Sequence, residues 1–285
     1  MPSSTTTPRA EVTDSSAVSL ASLSGGVSET MLLTLWGRAA TAMKDHPVLN
    51  DPEAVAAVRR IDFDFRGKFG RPSLDPAIRA KWSDSLLRDF LVRYPDAQVI
   101  ALGDGLETQF WRVDNGRLHW FSVDLPEATS VRRQVLPAHP RNELVDASIV
   151  ESEWLQIVSS SQPTIITANG VLMYLQPEDV IALLKTLASR FPGVDLLFDT
   201  VPEWLSRRAA RGLKLNNSYK LPPLPFGIGI GDLAKLSAAA SPLKIVSAQT
   251  YGEAFPSLTP VPALLSRWGY FRNRLSPALV HARLG

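Results

Sequence analysis

The chain has 285 residues and a formal net charge of only +2, with 45% apolar and 20% charged residues. This composition is typical of a globular protein with one large domain or two small ones. The charges are mixed along the chain without a long basic block, so we predict no nucleic-acid partner. The absence of cysteine excludes disulfides, thiolate zinc sites and cysteine nucleophiles. The four histidines form no HxxxH pair, and no metal is predicted.

The N-terminal residues 1–26 are rich in Ser and Thr and contain no apolar run of signal-peptide length. We interpret this segment as a flexible leader. Nowhere does the chain approach the ~20 consecutive apolar residues of a membrane-spanning helix. The sequence therefore predicts a cytoplasmic protein without a membrane partner.

The first ninety or so residues have apolar side chains at helical spacing. We expect helices over residues 29–43, 52–60 and 78–93. The second of these has Asp51 as a plausible N-cap and Pro52 in its first turn. These helices predict a helical region in front of the rest of the domain.

The pattern then changes to short apolar runs that alternate with helical stretches. Predicted strands cover residues 97–102, 118–123, 143–149, 163–168 and 194–199, and predicted helices cover residues 127–136 and 177–190. Such alternation is typical of an α/β fold, with a mostly parallel sheet covered by helices on both faces.

The periodicity weakens after the fifth predicted strand. The Pro-rich run at residues 221–226 can form neither a helix nor a central strand. A helix over residues 232–240 and a strand over residues 243–251 follow. Residues 278–283 are predicted as a final edge strand.

The most informative segment is the glycine turn after the first predicted strand. There Gly103-Asp-Gly105 allows a sharp bend and a close approach of ligand to backbone. The third glycine of the dinucleotide fingerprint is missing, and a nucleoside without phosphates has less need of it. Asp124 lies about 20 residues further on, where an acid binds ribose hydroxyls. These features favour a nucleoside ligand, although a lone GxG is often only a turn and an Asp before Pro126 is often only a helix cap.

A family resemblance rests on these residues. The segment Leu102-Gly-Asp-Gly-Leu-Glu-Thr-Gln-Phe-Trp-Arg112 resembles the LGAGLDTxFWRL motif of the leucine carboxyl methyltransferase family, whose bacterial branch includes polyketide O-methyltransferases. Four further segments resemble the family in the same order along the chain: residues 27–39, 120–126, 147–154 and 170–175. The resemblance covers roughly residues 27–199 and is thin beyond them.

The resemblance implies a Rossmann-like class I methyltransferase fold with a seven-stranded sheet. It also implies S-adenosylmethionine as cofactor and S-adenosylhomocysteine as product. The expected single domain, residues 27–285, then has four parts. They are a helical N-terminal cap (27–95), a cofactor-binding core (96–201), a lid-like insertion (202–240) and C-terminal strands (241–285).

The resemblance also assigns roles to individual residues. Arg79, and less securely Arg38, match basic residues that hold the methionine carboxylate. Tyr174 matches a tyrosine that faces the methyl acceptor, although it is equally well explained as a core tyrosine. The remaining cofactor-binding positions implied by the resemblance are Gly103, Asp104, Gly105, Asp124, Leu125, Ser148, Ile149 and Asn169.

This chain departs from the family pattern at three of its positions. Asp104 replaces a small residue between the glycines, Glu107 replaces an Asp, and Asn169 replaces a Glu at the end of the fourth strand. The last change removes a negative charge beside the cofactor. This change keeps open the hypothesis that the protein binds the cofactor without transferring its methyl group.

The expected reaction is methyl transfer to an acidic oxygen, a phenol or a carboxylate, of a small molecule in secondary metabolism. An ionised oxygen needs no base, and no obvious histidine base follows the fourth predicted strand. We expect Tyr174 and Asn169 to orient this acceptor by hydrogen bonds. Methylation of a protein C-terminal carboxylate is the alternative within the same chemistry. The oligomeric state is not predicted.

Overall fold

The computed structural model describes residues 18–19, 26, 28–159 and 161–285. The predicted leader lies almost wholly outside the described residues. Within it, a short strand, β1 (Val18–Ser19), pairs in parallel with β2 (Ile61–Asp62).

The N-terminal region is helical, as predicted. Its helices are α1 (Thr30–Ala42), α2 (Pro52–Arg60), α3 (Phe65–Phe69) and α4 (Asp75–Arg93). Helix α2 has the predicted start, because the Asp51 carboxylate accepts a hydrogen bond from the Ala54 N–H and Pro52 occupies the first turn.

The middle of the chain alternates strands and helices. The elements are β3 (Gln98–Leu102), α5 (Gln109–Val113), β4 (His119–Asp124), α6 (Pro126–Val135), β5 (Asn142–Asp146), β6 (Thr164–Ala168), α7 (Pro177–Arg190) and β7 (Val194–Thr200). Strands β3 and β6 are buried along their whole length, as expected for strands covered on both faces.

The C-terminal part adds four helices and two strands to this alternation. They are α8 (Glu203–Ala210), α9 (Leu233–Ala239), β8 (Leu243–Thr250), α10 (Tyr251–Ala254), α11 (Pro260–Leu265) and β9 (Ala278–Leu284). Helix α8 lies in the stretch where the sequence pattern weakens.

In the described part of the chain, seven strands form one sheet in the order β5-β4-β3-β6-β7-β9-β8. The first five strands in this order are parallel, and β9 runs antiparallel to both of its neighbours. The prediction that residues 278–283 form an edge strand is therefore wrong: β8 is the edge, and β9 inserts between β7 and β8. After β7 the chain first forms β8 at the edge of the sheet and then returns to place β9 between β7 and β8. The position of a strand in a sheet is not encoded in that strand's own residues.

Helices cover both faces of the sheet. Ile100 of β3 belongs to a core shared with Leu184 of α7, whereas its neighbour Val99 belongs to a core shared with Leu87 of α4. Successive side chains on a strand point to opposite faces, so β3 contributes to both cores. A third cluster, which includes Met31, packs α1, α2 and α3 against α6.

The carboxyl ends of all five parallel strands lie along one side of the sheet, which we call its carboxyl edge. The strand order reverses between β3 and β6, which is where α/β sheets bind ligands. Thr200 and Thr250 both pair with Ala278, so the segments after β7 and after β8 also leave the sheet at this edge. Among the described residues, none of the helices combines the length and the apolar character needed to cross a bilayer.

Candidate active site

The turn after β3 requires glycine at both positions that the sequence indicates. Gly103 and Gly105 have φ angles of 62° and 45°, in the left-handed region. A Cβ on Gly103 would lie 2.3 Å from a methyl of Val171, and one on Gly105 would lie 3.1 Å from the Cβ of Met31. The turn is thus packed between α1 and the loop after β6.

Asp124, at the end of β4, holds this turn. Its Oδ2 accepts a hydrogen bond of 2.6 Å from the Gly105 N–H, and its Oδ1 accepts one of 2.8 Å from the Leu125 N–H. Burial raises the pKa of the Asp124 carboxyl, although these two N–H groups oppose the shift. Each carboxylate oxygen keeps acceptor capacity for a ligand hydroxyl.

The turn and Asp124 form one wall of a crevice at the carboxyl edge of the sheet. The crevice encloses about 90 Å³. Its lining includes most of the predicted site residues, namely Arg38, Arg79, Gly103, Asp104, Gly105, Asp124, Leu125, Asn169 and Tyr174.

Ser148 and Ile149 are not part of this lining. Ile149 is buried in the core beside Trp154, although the Ala147 N–H donates to the Asp124 carbonyl and keeps the loop next to β4. The structure therefore does not bring these two predicted cofactor-binding residues to the crevice.

Arg79 reaches the crevice from α4 and is held by two residues that sequence reasoning missed. Its Nη1 lies 3.0 Å from Oδ2 of Asp199, whose Oδ1 accepts a hydrogen bond of 2.5 Å from the Gly170 N–H. Tyr251, the first residue of α10, also hydrogen-bonds the Arg79 side chain. Burial opposes the charged form of Arg79, but Asp199, Tyr251 and Glu107 together outweigh it and the pKa of Arg79 is raised. The position of Asp199 at the end of the fifth predicted strand was the signal that could have found it.

Arg38 borders the crevice, but its guanidinium is already paired within the protein. Its Nη1 lies 3.0 Å from Glu107, its Nε lies 3.4 Å from Asp51, and its Nη2 donates to the Leu106 carbonyl over 2.6 Å. The side chain is 1% exposed. These contacts assign Arg38 to holding the loop after β3, which differs from the carboxylate-binding role expected for it.

The charged residues of the glycine-turn motif extend this pairing into a network. Arg112 bridges Asp51, Asp84 and Glu107, with each N–O distance at 2.8 Å. The network ties α2, α4 and α5 together. The motif's charged side chains thus join the helical cap to the sheet and do not point at a ligand.

Asp104 also differs from expectation. Its carboxylate turns away from the crevice to Ser122 and Trp120 of β4 and to Arg132 of α6. The structure therefore gives the Asp104 side chain partners other than a cofactor.

Asn169 and Tyr174 lie on the wall across from Asp124. The Asn169 amide nitrogen donates to the Ser83 hydroxyl over 3.1 Å, while its buried Oδ1 accepts no hydrogen bond from the described residues. Burial raises the pKa of Tyr174, whose hydroxyl is hydrogen-bonded to Thr30. Tyr174 therefore presents a neutral hydroxyl.

Tyr219 is a further residue that the sequence did not indicate. It is 3% exposed, its ring packs edge-on against Phe69 at 4.8 Å, and its hydroxyl has no hydrogen-bond partner among the described residues. Burial raises the pKa of Tyr219, and the nearby Tyr174 and Glu29 raise it further. Tyr219 brings the insertion after β7 close to the cap and to Tyr174.

Comparison with known proteins agrees with this geometry. The sequence profile of the leucine carboxyl methyltransferase family matches residues 31–188. The tetracenomycin polyketide synthesis O-methyltransferase TcmP of Streptomyces glaucescens is 31% identical over 223 residues, which cover 77% of this chain and 81% of that protein. The chain belongs to the leucine carboxyl methyltransferase family.

Two further relatives widen the comparison. The S-adenosyl-L-methionine-dependent methyltransferase dpfgK of Gibberella zeae is 33% identical over 186 residues, 58% of this chain and 62% of that protein. A crystal structure of a protein assigned as a methyltransferase from Thermobifida fusca superposes with a TM-score of 0.54 at 16% identity, over 89% of this chain and 94% of that one. The second match concerns the fold alone. The expected family, fold class and type of enzyme, with S-adenosylmethionine as cofactor, are confirmed.

The described residues fit this cofactor. The orphaned Oδ1 of Asn169 is an acceptor suited to an ammonium group, and the Arg79 guanidinium is a cation suited to a carboxylate. The Asp124 carboxylate beside Gly105 is suited to ribose hydroxyls. A hydrogen-bond acceptor for the ammonium, a cation for the carboxylate and an anion for the ribose thus all lie along one crevice.

Proposed function

We propose that this protein methylates an acidic oxygen, a phenol or a carboxylate, of a small molecule in secondary metabolism. Arg79 and Asn169 would bind the methionine part of S-adenosylmethionine, and Asp124 with the Gly103–Gly105 turn would bind its ribose. When bound, the cofactor supplies a methyl carbon already activated by a positively charged sulfur.

One observation carries the choice of an acidic acceptor: among the described residues that line the crevice, we find neither a histidine nor an acid without a partner. No histidine lines it among the described residues, and its three acids all have partners. Asp104 is paired with Arg132, Glu107 with Arg38 and Arg112, and Asp124 accepts two backbone N–H groups. A neutral alcohol would need a base to remove its proton, whereas a phenolate or carboxylate arrives ionised.

The protein's own contribution is then positioning. Tyr174 presents a neutral hydroxyl that would donate to the acceptor oxygen and orient it toward the methyl group. Holding two reactants in line supplies roughly 7–11 kcal/mol of a barrier. The name of the Streptomyces relative, an O-methyltransferase of polyketide synthesis, supports both the oxygen acceptor and the metabolic setting.

The test is an acceptor screen with S-adenosylhomocysteine measured by mass spectrometry. The panel contains aromatic phenols, aromatic carboxylic acids, aliphatic alcohols and a peptide ending in a leucine carboxylate. We expect turnover with a phenol or a small acid, and a rate that follows the ionised fraction of the acceptor as pH rises. Mild base separates the products, since methyl esters hydrolyse and methyl ethers do not.

The other outcomes distinguish the alternatives. Equal turnover of an aliphatic alcohol would contradict the acidic acceptor. Turnover of the peptide alone would support a protein carboxyl methyltransferase. Tight binding of S-adenosylmethionine without turnover of any acceptor would support a protein that binds the cofactor without transferring its methyl group.

A further inference from the structure

The Gly105 residue at the crevice is fixed from both sides. Its N–H donates to Asp124 over 2.6 Å, and its carbonyl accepts a hydrogen bond of 2.7 Å from Nη1 of Arg132. Because Gly105 has no Cβ, its backbone can adopt other conformations besides the observed one, with φ of 45°, unless it is held. The position of the Asp124 carboxylate therefore depends on what holds Arg132.

Arg132 lies on α6, the helix that begins two residues after Asp124, and is 2% exposed. Its guanidinium lies over the Trp111 ring, 5.7 Å from the centroid. Its Nη2 lies 3.0 Å from Oδ2 of Asp104, an ion pair whose angle falls short of an aligned hydrogen bond. Asp104 is thus the carboxylate that compensates this buried positive charge.

Asp104 is anchored in turn by β4. The Ser122 hydroxyl donates to its Oδ2 over 2.6 Å, and the Trp120 indole N–H approaches the same oxygen at 3.4 Å. Burial raises the pKa of Asp104, while Arg132 and Ser122 oppose the shift. A small residue between the glycines, the family pattern at this position, could make none of these contacts.

The geometry points to Asp104 and Arg132 as a positioning pair that fixes the Gly105 backbone, and through it Asp124, in the conformation that binds the methyl donor. The departure from the family pattern at Asp104 then retains donor binding, because the carboxylate is directed at Arg132 and away from the crevice. This inference rests on the proposed role of Asp124 and Gly105 in binding the donor's ribose.

The pairing makes a specific prediction about variants. Removing one partner leaves a buried uncompensated charge, whereas removing both leaves none. The single variants Asp104→Ala and Arg132→Leu should therefore each disturb Gly105. Their two effects added together should exceed the effect of the double variant.

The experiment is calorimetric titration of the full chain with S-adenosylhomocysteine. We expect each single variant to raise Kd by about tenfold to a hundredfold, which corresponds to the loss of one hydrogen bond to a charged group. The double variant should lose less affinity than the product of the two single losses. With the acceptor found in the screen, KM for the methyl donor should rise while kcat at saturating donor stays within about twofold, which a general loss of structure would not produce.

Controls separate this inference from the proposed function. Arg133→Leu removes the neighbouring arginine of α6, which is half exposed and paired with Asp146, and should leave Kd unchanged. Asp104→Asn keeps the shape and the Ser122 contact but removes the charge, and it replaces Asp104→Ala if that variant fails to fold. Asp124→Ala tests the ribose role on its own.

The outcomes are decisive. If Asp124→Ala weakens binding but the Asp104 and Arg132 variants do not, the positioning pair is wrong and the proposed site stands. If Asp124→Ala leaves Kd unchanged, the site itself is wrong. Additive effects of the two single variants would also overturn the pair.

Discussion

Asp124 binds two backbone N–H groups and still has lone pairs directed at the crevice, so it serves the turn and the ligand at once. We expect Asp124→Ala to weaken S-adenosylhomocysteine binding by about 1.5–3 kcal/mol, the typical worth of a hydrogen bond to a charged group. Calorimetry measures the change. Asp96→Ala, at the opposite edge of the sheet in an exposed pair with Arg117, is the matched control and should bind normally. An unchanged Kd for Asp124→Ala would remove it from the ribose role.

Tyr219 shows the cost of a buried hydroxyl that has no hydrogen-bond partner in the described part of the chain. Such a group loses its hydrogen bonds to water on folding, so Tyr219→Phe should raise the free energy of unfolding by about 1 kcal/mol. Urea unfolding at neutral pH measures the difference. Tyr251→Phe is the contrast, because its hydroxyl bonds Arg79 and its loss should lower the free energy of unfolding by a similar amount. Destabilisation by Tyr219→Phe would show that its hydroxyl has a partner, such as an ordered water.

At the scale of elements, a buried network of charges joins the cap to the sheet alongside the apolar packing. Arg38 on α1, Asp51 before α2, Asp84 on α4 and Arg112 on α5 all meet at or beside Glu107. Burial alone would raise the pKa of Glu107, but Arg38 and Arg112 outweigh it and lower the pKa from 4.5 to about 2. The Glu107 carboxylate therefore stabilises the folded state.

This shift has a definite consequence for acid stability. A folded-state pKa below the unfolded value contributes stability that is complete above pH 4.5 and is lost as the pH falls toward about 2. Glu107→Gln should thus lower the free energy of unfolding at pH 7 by on the order of 3 kcal/mol, with the difference from wild type shrinking as the pH falls. Urea unfolding at a series of pH values measures it. Glu203→Gln, in an exposed pair with Arg207, should show neither effect, and a constant deficit for Glu107→Gln at all pH values would contradict the ionic origin.

The elements themselves were largely predictable from sequence. Strand β3 is short and mostly apolar, β6 is rich in Ile and Thr, and α2 and α7 begin at prolines with acids in the first turn. The place of β9 in the sheet was not predictable, because local pattern does not encode strand order. The glycine turn and Asp124 were found because they are adjacent to strands in the sequence. The contact between Asp199 and Arg79, which lie 120 positions apart, could not be predicted in this way because it depends on the topology.

At the scale of the molecule, the insertion after β7 and the segment after β8 both leave the sheet at its carboxyl edge. The one after β7, residues 202–240, contacts the site through the Phe226 N–H on the Met173 carbonyl and contacts the cap through Asn216 on the Lys68 carbonyl. Its role as a lid stays a prediction. Limited proteolysis should show slower cleavage within residues 211–225 when S-adenosylhomocysteine is bound, and equal cleavage with and without ligand would contradict the lid.

The crevice, at about 90 Å³, is well below the roughly 300–1,000 Å³ of small-molecule pockets, and Met31 on α1 closes it against Gly105. We therefore expect the start of α1 to move when the methyl donor binds. Binding that waits for such an opening has an observed rate that reaches a plateau at high ligand concentration.

We expect stopped-flow tryptophan fluorescence with S-adenosylhomocysteine to show this plateau, and Met31→Ala to raise it severalfold, because the variant removes the Met31 side chain beyond its Cβ, including the sulfur near Gly105. Met43→Ala changes the exposed methionine directly after the same helix and should leave the plateau unchanged. A rate that rises linearly to the highest concentration would mean that the crevice is already open in solution. An unchanged plateau for Met31→Ala would place the barrier in another segment, with the insertion at residues 202–240 the next to test by the same method.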